Sequence, residues 1–148
     1  MIEKFTPEEI DRLRKEISEY DKRPFYFPFE SAVNHGRFTK ISDNMYYSAA
    51  YQDLSMRQRQ LYFQMKQQFY PKLVVHGVTI EANDKNIIYP RSLWIKDYSS
   101  WRTFHKDLEA LKSHGFIEEL RNGKESRTKN IYSFSEGWKC WRKKDDLR

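Results

Sequence analysis

The clearest alternation of hydrophobic and polar positions lies between Trp101 and Leu111. There Trp101, Phe104, Leu108 and Leu111 recur at spacings of three and four, which puts them on one face of a helix. Ser99, Arg102, Thr103, Lys106, Glu109 and Ser113 take the opposite face, with the cations toward the N-terminal end. Ser99 and Ser100 are the N-cap candidates, and Gly115 after His114 supplies the C-terminal stop. A shorter helix over Ser92 to Tyr98 ends directly before the two serines. Two helices joined this tightly must cross steeply, as in a helix-turn-helix. Downstream, Phe116 to Leu120 and Asn130 to Phe134 read as an antiparallel strand pair around the loop Arg121 to Lys129.

Upstream, Ser55 opens a helix that runs to about Phe69 and stops ahead of Pro71. Leu54, Leu61, Met65 and Phe69 form its expected core stripe. A second stripe, Met56, Phe63 and Tyr70, calls for a cover, from the N-terminal part of the chain or from a second protomer. Leu73 to Ile80, with His76 and Gly77 at its centre, and Ile87 to Tyr89 after a turn over Glu81 to Asn86, are expected as edge strands beside the downstream pair. The polar segment Glu30 to Asp53 reads as loop with a short helix near Asn44 to Tyr51.

The N-terminal third is different in kind. Thr6-Pro7-Glu8-Glu9 is a capping box with proline at the first helical position, opening a helix to about Tyr20 whose apolar seam is only Ile10, Leu13 and Ile17. Lys22 to Phe29 follows, where two prolines deny regular structure and four aromatics demand burial, so an extended arm lying on the domain is expected. At the other end, Gly137 to Arg148 mixes Trp138 and Trp141 with Lys139, Arg142, Lys143 and Lys144. It has the means either to pack on the domain or to grip nucleic acid. The organisation read from the chain is therefore a helix and aromatic arm over 1–37, a central domain over 38–136 and a basic, aromatic tail over 137–148.

Charge changes the picture because of where it falls. The chain of 148 residues carries a net +6, but Met1 to Glu30 holds six Lys/Arg against eight Asp/Glu, while Arg121 to Arg148 holds nine against four. The positive field thus sits on the loop between the paired strands and on the tail, which favours a polyanionic partner. In that loop Arg121, Lys124, Arg127 and Lys129 face a single Glu125. A basic hairpin directly after a helix-turn-helix is the wing of a winged helix, so the fold class expected is α+β, a winged helix-turn-helix with an N-terminal helical and aromatic-arm extension.

Candidate chemistry is sparse. His35, His76, His105 and His114 have no metal-ligand spacing, the ten tyrosines lack a His-x-His companion, and the five glycines are scattered rather than gathered in a phosphate loop. No catalytic residue, metal site or cofactor is expected. Cys140 is the sole cysteine, which fits a reducing cytoplasm, and no apolar run approaches the length of a membrane span.

Tyr47-Ser48-Ala49-Ala50-Tyr51-Gln52-Asp53-Leu54-Ser55 leading into Arg59-Gln60-Leu61-Tyr62, then Asn83-Asp84 with Ile87-Ile88-Tyr89, form the first half of a wider pattern. Its second half is Thr103 to Leu111 with His114-Gly115-Phe116-Ile117, and Thr128-Lys129-Asn130-Ile131-Tyr132. Over roughly Phe38 to Phe134 this resembles the winged-helix modules of replication initiators of Gram-positive plasmids and integrative elements, in particular the replication initiator A N-terminal family, and related accessory DNA-processing proteins. Trp94, Lys96 and Tyr98 stand where that pattern favours small or acidic residues. The resemblance implies a cytoplasmic protein of a mobile element that binds double-stranded DNA sequence-specifically, in plasmid replication initiation or at a transfer origin, alongside other replication or transfer proteins.

The residues expected to carry binding are Ser99, Ser100, Arg102, Thr103 and Lys106 in the major groove, with Arg121, Lys124, Arg127 and Lys129 on backbone or minor groove. Asp107 and Glu109 count against a longer contact along the helix. The alternative is a winged-helix protein-docking module or transcriptional regulator. A monomer with its arm folded back is expected, and a homodimer with exchanged arms is the other arrangement the sequence allows.

Overall fold

Serine caps set most of the helix starts. Ser42 opens α1 (Asp43–Tyr46), Ser48 opens α2 (Ala49–Asp53) and Ser55 opens α3 (Met56–Lys66), each side-chain oxygen accepting from the backbone N–H three residues on. At Ser55 the box is reciprocal, because the Ser55 N–H donates to Gln58 Oε1 at 2.9 Å. The computed structural model describes residues 6–9, 11–12, 39–124 and 128–147. It divides into two units, Met1–Phe38 and Thr39–Arg148. In the first, the expected capping box is present: the Thr6 N–H donates to Glu9 Oε2 at 2.8 Å and the Glu9 N–H to Thr6 Oγ1 at 3.3 Å. The seam Ile10, Leu13 and Ile17 and the aromatic arm lie outside the described residues.

After α3 the chain forms a hairpin of β1 (Leu73–Val75) and β2 (Val78–Ile80). His76 and Gly77 link them with φ of 50° and 76°, the doubly left-handed turn that matches strand twist. Among the described residues these strands pair only with each other, so they are not the expected edge strands of the downstream sheet. A local turn closes that register at little entropic cost, whereas joining the distant sheet requires a longer loop. Ile87 reaches the second sheet in a bridge to Tyr132 with hydrogen bonds of 3.0 and 2.8 Å, and Asp84 O accepts from the Phe134 N–H at 2.9 Å.

The short helix is α4 (Arg91–Trp94), which gives way to turns before Tyr98, and Trp94 and Tyr98 are both buried. Ser100 then caps α5 (Trp101–Ser113). Gly115, at φ 79°, ends it: the Gly115 N–H donates to Lys112 O at 3.1 Å and the Phe116 N–H to Leu111 O at 3.0 Å, a Schellman motif. β3 (Ile117–Arg121) and β4 (Ile131–Phe134) pair antiparallel from Ile117↔Phe134, with a bulge between Glu119 and Arg121. The second sheet therefore runs Ile87, β4, β3, and the chain is α+β.

Leu61 and Met65 of α3, Leu111 of α5, Phe116, Ile117 and Ile87 are essentially inaccessible and form the centre of the core. Of the expected stripe, Leu54, Leu61 and Met65 are buried and Phe69 is half-buried. Of the second stripe, Met56 is 76% exposed, Tyr70 is exposed and Phe63 is half-buried. Tyr62 goes into the core instead, its ring 5.1 Å from that of Phe116. The tail packs through its tryptophans. Trp138 lies parallel to Phe116, Trp141 stacks on His114 with 4.6 Å between centroids, and the Trp138 N–H donates to Gly115 O at 3.0 Å. Gly115 meets the Gly137 backbone so closely that a Cβ there would collide with it.

Candidate nucleic-acid interface

Two elements carry the residues singled out by charge, α5 and the β3–β4 hairpin. What fixes α5 against α3 is a polar contact that sequence spacing does not display. Asp107, 1% exposed, accepts from Arg57 Nε at 2.5 Å, from the Tyr98 hydroxyl at 2.8 Å and from Gln58 Nε2 at 3.3 Å. Burial by itself pushes its carboxyl up, but the hydrogen bonds from Arg57, Tyr98 and Gln58 outweigh it and hold the group below its ordinary value. The Tyr98 hydroxyl is pushed the other way, by burial first and by the Asp107 carboxylate second. The sequence counts Asp107 with Glu109 against a long contact along the helix. Asp107 faces the interior, and Glu109 alone of the two acids is exposed.

At the start of α5, Ser99, Arg102 and Lys106 are exposed and Thr103 is half-buried. Ser100 is exposed, yet its oxygen is engaged with Thr103, accepting from its N–H at 3.3 Å and lying 3.0 Å from its hydroxyl. Its capping duty leaves little for a ligand. Trp101 departs from the expected core face: it is 60% exposed, while Phe104, Leu108 and Leu111 are buried. It is the first residue of the helix. Its ring stacks on His105 with 4.5 Å between centroids and 14° between planes.

The hairpin tip is tight. The Thr128 N–H donates to Gly123 O at 3.0 Å, and the Gly123 N–H to Asn130 Oδ1 at 2.8 Å. A Cβ on Gly123 would strike the Thr128 backbone, so glycine is required by close approach. Arg121, Lys124 and Lys129 are all exposed, and Arg121 Nη2 reaches Lys129 O at 3.1 Å across the ladder. Arg127 lies outside the described residues.

Between α5 and the hairpin run two clefts that share Trp101, Phe104, Asn130 and Tyr132. The larger, about 560 Å³, has Lys124 on its hairpin side and His105, Glu109 and Lys112 on its helix side. Lys112 is held there between Glu109 at 2.6 Å and Glu119 at 3.5 Å. The smaller, about 300 Å³, is bordered by Arg91 and Lys129. Sequence reasoning gathered the cations but missed the exposure of Trp101, the place of Arg91 and the Lys112–Glu119 pair, because partners on different elements leave no periodic signal.

The tail's charges are partly engaged. Asp53 lies 2.8 Å from His114 Nε2 and 3.4 Å from Lys143 Nζ, and the His114 hydrogen bond is the main cause that holds its carboxyl below the usual range. Lys139 pairs with Glu136. Among the described residues no group of three or more His, Cys, Asp or Glu side chains is placed to hold a metal ion, and no helix is long and apolar enough to cross a membrane. Comparison with protein-family models, with curated proteins and with solved structures found no match for this chain.

Proposed function

We propose that this protein is a winged-helix protein that binds double-stranded DNA sequence-specifically, with α5 as recognition helix and the β3–β4 hairpin as wing. The order of elements supports the fold reading: a helix, a short strand segment at Ile87, two helices and a two-stranded hairpin, with Ile87 joined to β4. The observation that carries the functional reading is the arrangement of cations around α5 and the hairpin. Arg91 and Lys129 border one cleft and Lys124 the next, while Arg102 and Lys106 are exposed on the first two turns of α5. Such an array suits a backbone of regularly spaced phosphates. With Asp107 turned inward, the start of α5 presents no acid to the groove, which Glu109 reaches only two turns on. The role read from the resemblance, replication initiation or accessory work at a transfer origin of a mobile element, belongs to the same proposal.

A protein-docking role for the same fold is favoured by one feature, the β1–β2 hairpin, whose six strand residues are all exposed although five of them are apolar. Gel shifts with fragments of the genetic element that encodes the chain, at two salt concentrations, separate the readings. The DNA reading expects one fragment retained at the higher salt; no retention of any fragment at either concentration contradicts it.

A further inference from the structure

We propose that Trp101 is a stacking platform for an unpaired nucleobase, so that the DNA this chain prefers carries single-stranded bases next to a duplex. The proposal rests on the DNA-binding reading above and narrows its substrate.

Trp101 is the exposed member of an otherwise buried apolar series, and the cap of α5 is made by Ser100 and Thr103 without it. His105, one turn on, stacks against one indole face with planes 14° apart. Trp101 lines both clefts, whereas His105 lines only the larger one. The smaller cleft offers what a nucleotide needs: aromatic walls from Trp94, Phe104 and Tyr132 for the base, and the cations Arg91 and Lys129 at its border for the phosphate. Neither cation forms an ion pair among the described residues. Its volume of about 300 Å³ is that of a small ligand cleft. The larger cleft, lined by the carboxylates of Glu109 and Glu119, is the poorer place for a phosphate.

A paired base offers a protein only its edges, because both of its faces are covered by its neighbours in the stack. An indole face is therefore matched by an unpaired base in an overhang, a flap or a fork, and not by the interior of a duplex.

The test uses the full chain with three DNAs: a blunt duplex, the same duplex with a short overhang carrying 2-aminopurine beside the junction, and the overhang strand alone. The overhang is expected to tighten Kd by about 5- to 100-fold, the range of one stacked base, with quenching of 2-aminopurine. Trp101→Ala should abolish gain and quenching while blunt-duplex Kd moves by less than about twofold, and Trp101→Phe should keep part of the gain. Equal Kd for blunt and overhang duplexes, or a gain that persists in Trp101→Ala, overturns the platform and leaves the duplex reading standing. Binding of the overhang strand through Trp101 without any binding of the blunt duplex supports the platform and removes the duplex reading. No binding to any of the three removes both.

Discussion

Burying a carboxylate is unfavourable by several kcal/mol unless hydrogen bonds replace its water, so the three donors around Asp107 decide whether α5 can sit where it does. Tyr98 is the most buried of them, and Tyr98→Phe removes a hydrogen bond to a charged group without opening a cavity. It should destabilise the chain by about 1.5–3 kcal/mol in urea unfolding. Because the Asp107 carboxyl lies below its ordinary value of 3.8 in the folded chain, its contribution is complete above that pH and is lost as pH falls through the lower folded value. Asp107→Asn should therefore flatten the acid limb of stability below pH 3.8; an unchanged limb would mean that other carboxylates govern it. On the outer face of the same helix, Arg102 is exposed in the first turn, within reach of a guanine edge if α5 enters the major groove. Arg102→Ala should flatten preference at one base position, by about 1–3 kcal/mol of discrimination, more than it weakens binding to random DNA. Equal losses on both would make Arg102 a phosphate contact.

Elements with local signals were legible. Ser55 with Gln58, Ser100 and Gly115 announce their helix ends through contacts spanning three to five residues, and the structure places those ends accordingly. The β3–β4 pair was legible too, from β-prone runs flanking a basic loop. What depended on distant partners was not. Leu73 to Ile80 reads as strand whether it pairs with itself or with the downstream sheet, and only the turn at His76–Gly77 selects self-pairing. Trp101 keeps the period of the core face, yet the period does not tell that it stays exposed. Asp107 reads as a surface acid until Arg57, fifty residues away, is brought to it. The tail shows how a close approach makes a prediction. Gly115 combines positive φ with contact to Gly137, whereas Gly77, also at positive φ, has open space around a Cβ. Gly115→Ala should cost well over about 1 kcal/mol and expose Trp138 and Trp141 to quenching, while Gly77→Ala should cost only the backbone term of about 1 kcal/mol. Equal losses at the two sites would mean that the tail is not held at Gly115.

Across the whole molecule, charge is segregated rather than merely positive: the first thirty residues are net acidic and the last twenty-eight net basic. The basic end attracts a polyanion and makes association with it salt-dependent. Part of the basic end is already neutralised, since Lys143 pairs with Asp53 and Lys139 with Glu136, and the tail is packed through Trp138 and Trp141. On the DNA-binding reading proposed above, the hairpin is the main source of phosphate contacts, with four cations within nine residues. The most direct test is the slope of log affinity against log salt for the full chain and for a variant with Arg121, Lys124, Arg127 and Lys129 all replaced by Ala. At about 0.9 per phosphate neutralised, the variant's slope should be shallower by roughly 3 to 4. An unchanged slope would contradict the account and move the DNA contact away from the hairpin.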